Sequence, residues 1–195
     1  MMETVKGERV SVDNEEKILR TAEKLFVEMG LKFTLDDISK GLHMAKKTIY
    51  KSYSSKENLL NAMVENGFEK IQKNKKKILE SDIDPIDKIK SIMIAMPDRY
   101  TVFDFRELET LKEKYPNVYR NLQRHLESDW EPVIELLEEG MKKGYLKQIS
   151  IPVLKIMVTS TLESCLSTSI LKDEKISYND ALKNMMDIIM KGIEK

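Results

Sequence analysis

The stretch TLDDISKGLHMAKKTIYKSY, Thr34 to Tyr53, decides the fold. Thr34 precedes a short apolar-periodic segment, Leu35, Ile38 and Leu42, with Asp37 three positions on as in a helix-capping pair. A break falls at Gly41–Met44. A second short helix, Ala45 to Ser52, then sets Lys46, Lys47, Thr48, Tyr50 and Lys51 around an inward-facing Ile49. Two short helices joined by a tight turn make a helix-turn-helix. The first helix of such a pair buttresses the second, which lies in the DNA major groove. Its outer side must offer donors to phosphates and base edges, and these lysines and hydroxyls do so.

Working outward, the upstream residues Ile18, Ala22, Leu25, Phe26 and Met29 share one helical face. Asp13 and Glu16 have capping-box spacing at its start, and Gly30 is placed to stop it. Residues 1–13 are expected to be a flexible arm. Downstream, Ser54-Ser55-Lys56-Glu57 reads as a second capping box and opens a long helix to about Ser81. The lysine run Lys70 to Lys77 in that helix reads as a solvated face.

The 195-residue chain is 41% hydrophobic and 34% charged, the composition of a globular protein. No apolar run approaches the roughly 18 residues of a membrane span, and residues 1–13 carry no signal-peptide core. A cytoplasmic protein is therefore expected. One cysteine, Cys165, allows no internal disulfide. With only His43 and His125 besides, no metal site and no cofactor are expected. No Ser/His/Asp or Cys/His set can be assembled and no phosphate-cradling glycine loop is present, so an enzyme has no sequence support. Net charge is zero, but residues 1–81 hold 16 basic against 13 acidic side chains. Between His43 and Lys56 stand four lysines and no acid. Screening makes such a stripe act locally, so a neutral protein can still meet phosphates.

The segment from Thr34 to Ser39, followed by Met44-Ala-Lys-Lys-Thr-Ile-Tyr-Lys-Ser-Tyr-Ser-Ser-Lys-Glu-Asn-Leu59, resembles the DNA-binding domain of TetR-family transcriptional regulators. Ala22-x-x-Leu25-Phe26-x-x-x-Gly30 fits the same family's first helix, and the resemblance covers about residues 14–65. It implies an all-α homodimer. Residues 14–60 would be the DNA-binding domain, and 61–195 a helical effector-binding domain that dimerises through its last two helices. It also implies DNA-backbone contacts from Thr48, Tyr50 and Lys56, and base or phosphate contacts from Lys46 and Lys47. Thr34, Lys51 and Tyr53 complete the DNA-facing set, Tyr53 doubling as a core aromatic with a wet hydroxyl. His43 replaces the glycine usual in the turn, and Ala45 the serine usual as the helix cap. Each replacement is expected to cost on the order of 1 kcal/mol.

Beyond Ser81 the reading is helical throughout, about nine helices in all. Asp84-Pro85 marks a helix start, and Pro97 and Pro116 divide the helices that follow. Pro116–Lys143 reads as one long helix, kinked or broken at Pro132 and weakened at its end by Gly140 and Gly144. His125 within it reads as structural or solvent-facing, and Glu135, Glu138 and Glu139 as a solvated face. Ile151–Leu171 is apolar on most sides, and Ser177–Ile193 carries Ala181, Leu182, Met185, Ile188 and Ile189 as one stripe. The dimer seam is expected at Leu154, Val158, Leu162, Leu166, Leu182, Met185 and Ile189. A largely apolar effector is expected among Met93, Met96, Tyr100, Phe103, Phe105, Tyr119, Trp130, Met157, Thr161 and Cys165. The bland alternative for each of these is ordinary core. Glu163, an acid in an apolar helix, is expected to face a cavity or pair across the dimer. The whole reads as a dimeric repressor released from a near-palindromic DNA operator by a small molecule. The alternative is a TetR-like interaction protein that controls a protein partner, with DNA binding to localise it.

Overall fold

The computed structural model describes residues 2–95, 105–128, 130–167 and 170–195. The described residues are helical with no strand; a lone bridge joins Leu146 to Glu194. The helices are α1 (Met2–Met29), a 3-10 turn (Gly30–Lys32), α2 (Leu35–Leu42), α3 (Lys46–Ser52), α4 (Lys56–Glu80) and α5 (Pro85–Met93). After them come α6 (Phe105–Lys114), α7 (Pro116–Glu127), α8 (Glu131–Lys143), α9 (Ile151–Ser167), α10 (Ile170–Asp173) and α11 (Tyr178–Ile193). Pro97 lies outside the described residues. None of the described helices is long and apolar enough to cross a membrane.

Three boundaries differ from the sequence reading. Helix α1 begins at Met2, so the expected arm is helical. No proline interrupts residues 2–12, and the Asp13 carboxylate accepts from Lys17 one turn on instead of capping. Helix α4 is capped by Ser55 rather than Ser54: Ser55 Oγ accepts the backbone N–H of Asn58 at 3.1 Å. Finally, the 116–143 stretch is two helices. Pro132 sits in the first turn of α8, where its missing N–H costs nothing.

The chain forms two compact units. Unit 1 holds residues 1–66 and 110–121. Helices α1, α2 and α3 pack on one another there, and Ile18, Ala22, Phe33, Ile38, Ile49 and Leu59 are fully buried. The start of α7 belongs to this unit and is bonded to the start of α4. Asn117 Nδ2 donates to Glu57 Oε1 at 2.8 Å, and Asn121 Nδ2 donates to Glu65 Oε1 at 2.8 Å and to Asn61 Oδ1 at 3.2 Å. Residues 57, 61 and 65 recur at one-turn spacing, as do 117 and 121, so the two polar stripes match.

Unit 2 holds residues 67–109 and 122–195. Its core joins Ile89 and Ile92 of α5, Val133 and Leu137 of α8, Leu154 and Val158 of α9, and Met186 and Met190 of α11, with Trp130 and Leu146. The stripe of α11 is therefore rotated from the one expected. Leu182, Met186 and Met190 are buried, and Ile188 is 73% exposed. His125 is structural, its ring stacked on Phe68 with centroids 4.4 Å apart. Gly144, at φ 84°, ends α8 in the left-handed conformation. A Cβ on Gly140 would lie 2.6 Å from the Leu146 side chain, so glycine there lets the following loop fold back.

Candidate DNA-binding site

The site grows from two helix ends. Thr34 caps α2: its Oγ1 accepts the Asp37 backbone N–H at 3.2 Å. The Asp37 carboxylate returns the bond, accepting from Thr34 N at 2.9 Å and from its hydroxyl at 2.7 Å. These donors hold the Asp37 carboxyl below its usual range. Thr34 is thereby committed to the cap, a contribution of about 1 kcal/mol.

The turn closes at His43, which adopts φ 52°, ψ 34°, the left-handed conformation that glycine takes more cheaply. Ser39 braces it. Its backbone carbonyl accepts from Met44 N at 3.0 Å, and its hydroxyl donates to Met44 O at 2.6 Å. Helix α3 then starts at Ala45 with no side-chain cap. Ile49 is fully buried, which pins the inner face of α3. With Ile49 inward, Lys47, Tyr50 and Lys51 are exposed and Thr48 is half-exposed. These four are free of competing bonds among the described residues.

Two of the expected lysines are already engaged. Lys46 is exposed but pairs with Asp36 of α2, which raises its pKa. Lys56 faces inward: its ammonium donates to the carbonyls of Leu31 and Phe33 and sits 4.5 Å from the Phe33 ring centroid. In this structure the lysine caps the 3-10 turn ahead of α2. Tyr53 is partly buried, and burial, helped by Glu15, pushes its phenol up to about 12. It acts as a core aromatic with restricted access.

Residues 18–63 match the family model described as bacterial regulatory proteins, tetR family. This segment is a tetR-type DNA-binding domain. The chain is 22% identical over 180 residues to the uncharacterized HTH-type transcriptional regulator YvaF of Bacillus subtilis, covering 92% of this chain and 95% of that one. Among solved structures, it resembles a TetR-family transcriptional regulator from Agrobacterium tumefaciens, with TM-score 0.69 and 14% identity over 95% of this chain and 100% of the other. It also resembles the fatty acid degradation regulator FadR from Bacillus halodurans, with TM-score 0.66 and 21% identity over 92% and 95% of the two chains. Lys47, Thr48, Tyr50 and Lys51 lie on α3, inside the matched segment.

Among the described residues, those expected to line an effector site belong to both units. Met93 and Trp130 pack in the core of unit 2. Cys165 is partly buried, its thiol pushed up by that burial. Thr161 donates its hydroxyl to Met157 O, while Met157 and Glu163 point outward. Tyr119 belongs to unit 1, where the Lys112 ammonium sits 5.9 Å from its ring centroid. Met96, Tyr100 and Phe103, and the Phe105 side chain, lie outside the described residues.

The residues expected at a dimer seam are buried or partly buried within the single chain. Leu154, Val158 and Leu182 are 5%, 1% and 2% exposed, buried in their own subunit. Leu162, Met185 and Ile189 are partly buried against the same core, and the Leu166 side chain lies outside the described residues. The outward apolar residues are Val153, Ile156 and Met157 on α9 and Ile188 on α11, which the apolar run concealed because α9 is hydrophobic on most sides.

Proposed function

We propose that this tetR-family transcriptional regulator is a homodimeric repressor that leaves its DNA operator when a small molecule binds the helical region after the DNA-binding domain. The observation that carries the DNA half is the outer face of α3. Lys47, Tyr50 and Lys51 stand exposed opposite a fully buried Ile49, so a short helix presents donors along one side. Each subunit would set α3 into a major groove, two half-sites apart by about one helical turn or a multiple of it. Lys47 and Lys51 would neutralise phosphates, giving an affinity that falls steeply with salt.

The second subunit is proposed to cover Val153, Ile156, Met157 and Ile188. Side chains of this size that are half exposed or more gain roughly 25 cal/mol per Å2 of apolar area removed from water. Outside α9–α11, the exposed aliphatic side chains among the described residues are Val27, Met29, Leu79 and Ile83, too scattered to favour a protein-partner role. Release by effector requires that the ligand bind the operator-free arrangement more tightly.

Operator selection from a random duplex pool, followed by fluorescence anisotropy across a salt series, tests the reading. The wild type is expected to bind the selected site as a dimer. Lys47→Ala and Lys51→Ala are each expected to lower the salt slope by about 1. Salt slopes equal to the wild type's would remove α3 from the interface.

A further inference from the structure

We propose that Lys155 and Thr159 of α9, beside Trp130, hold the carboxylate of a small organic acid whose apolar body lies against the indole. This rests on the ligand-responsive reading above and names the chemical class of the ligand.

The first observation is a hydroxyl. Thr159 Oγ1 is buried with no hydrogen-bond partner, a state that no other side-chain polar atom shares among the described residues. A helical threonine commonly satisfies its hydroxyl on the carbonyl one turn back. Thr161, two residues on, does so, donating to Met157 O at 2.6 Å. Thr159 leaves that bond unmade. A buried O–H without an acceptor destabilises the chain that carries it, so an acceptor arriving from outside would gain by meeting it.

The second observation is a cation. Lys155 stands one turn before Thr159, so the two side chains share a face of α9. Lys155 is partly buried, and its ammonium sits 5.8 Å from the Trp130 ring centroid. Other lysines of the same unit pair with carboxylates, Lys90 with Asp187 and Lys143 with Glu139. Lys155 has no such partner among the described residues. Trp130 is 8% exposed and belongs to the core of the unit, so it supplies a fixed apolar wall.

A fixed cation, a donor without an acceptor and an aromatic wall select by charge. An amine would meet a like charge. An alcohol of the same skeleton would gain the wall and one ordinary hydrogen bond. A carboxylate gains the wall, the Lys155 ammonium and the Thr159 hydroxyl together, and charge-assisted bonds are about twice as strong as neutral ones. Glu163, one turn beyond Thr159 on the same side of α9, is exposed.

The test uses the purified full chain with decanoate, decanol and decylamine below their aggregation concentrations, and phenylacetate with its alcohol and amine. Binding is read by thermal shift and calorimetry. At least one carboxylate is expected to bind about tenfold more tightly than its alcohol. Lys155→Met is expected to erase that preference. Thr159→Val is expected to raise the Tm of the free protein, by removing the unmet hydroxyl, while weakening carboxylate binding severalfold. Carboxylates no better than alcohols, a preference that survives Lys155→Met, or a lowered Tm in Thr159→Val would each overturn the site. Operator release separates this site from the reading beneath it. A carboxylate that binds through Lys155 but leaves the operator complex intact keeps the site and removes ligand-triggered release. Release by a neutral compound, undisturbed by Lys155→Met and with no carboxylate bound, keeps release and removes the site.

Discussion

Asp36, in the first turn of α2, holds the ammonium of Lys46, the first residue of α3, in an ion pair ten residues apart in sequence. The pair ties the two helices of the motif together at the end where α3 lacks a cap. It also sets a competition, because a phosphate can bind Lys46 only by displacing or sharing with Asp36. Both groups are solvent-exposed, so the pair itself adds little stability. Asp36→Asn is expected to leave Tm nearly unchanged and to strengthen binding to non-specific duplex. The salt slope should grow by up to about 1 as Lys46 becomes fully available. Anisotropy at several salt concentrations checks this; a slope equal to the wild type's would mean that Lys46 never reaches phosphate.

The turn of the motif carries strain that can be removed. His43 sits at φ 52° and Ala45 begins α3 without a side-chain acceptor. His43→Gly relieves the left-handed conformation but loosens the unfolded chain, for a net gain of about 0.5–1 kcal/mol. Ala45→Ser adds a cap worth about 1 kcal/mol. The double variant is expected to raise Tm by roughly 3–8 °C for a chain of this size, read by thermal denaturation. A lowered Tm would contradict the turn geometry.

The motif was legible in sequence because its determinants are local. Thr34, Asp37 and Ile49 act within three or four residues, and so does the turn residue His43. What was not legible is non-local. Lys56 binds carbonyls 23 and 25 residues earlier, and backbone acceptors leave no mark in a sequence. Asn117 and Asn121 find partners 56 to 60 residues away, which placed the start of α7 with the DNA-binding helices. On α9, Val153, Leu154, Ile156, Met157 and Val158 are all apolar, so periodicity could not separate the buried Leu154 and Val158 from the exposed rest.

Tyr53 sets an alkaline limit. Its folded pKa, about 12, lies above the unfolded value of 10.0, because burial disfavours the phenolate and Glu15 adds to the effect. A raised folded pKa contributes stability that is fully present below pH 10 and is lost as pH rises from 10 toward 12. Tyr53→Phe removes this proton. The variant is expected to lose less Tm than the wild type between pH 9.5 and 11.5, while matching its trend near neutrality. Parallel Tm curves through the alkaline range would count against a buried Tyr53.

The polar stripe between α4 and α7 is expected to couple. Asn121→Ala removes two hydrogen bonds and leaves Asn61 and Glu65 to water, for a loss of about 1–2 kcal/mol. The corresponding drop in Tm is roughly 2–8 °C. Asn117→Ala combined with Glu57→Ala should lose about what Asn117→Ala loses alone, since both break the shared bond and Asn117→Ala also breaks the one from Arg120. Additive losses would show that the two residues act independently.

The outward apolar residues and the buried ones make opposite predictions. Ile156 and Ile188 are 64% and 73% exposed, so an aspartate at either costs the isolated subunit little. If a second copy covers them, Ile156→Asp with Ile188→Asp places carboxylates in an apolar interface and is expected to yield monomers by sedimentation at micromolar concentration. Operator binding should fall with it, because one subunit reads only half a site. Leu154→Ala is the contrast: at 5% exposure within the subunit core, it is expected to lower unfolding stability by about 2–5 kcal/mol. A double aspartate variant that sediments as a dimer would move the seam elsewhere.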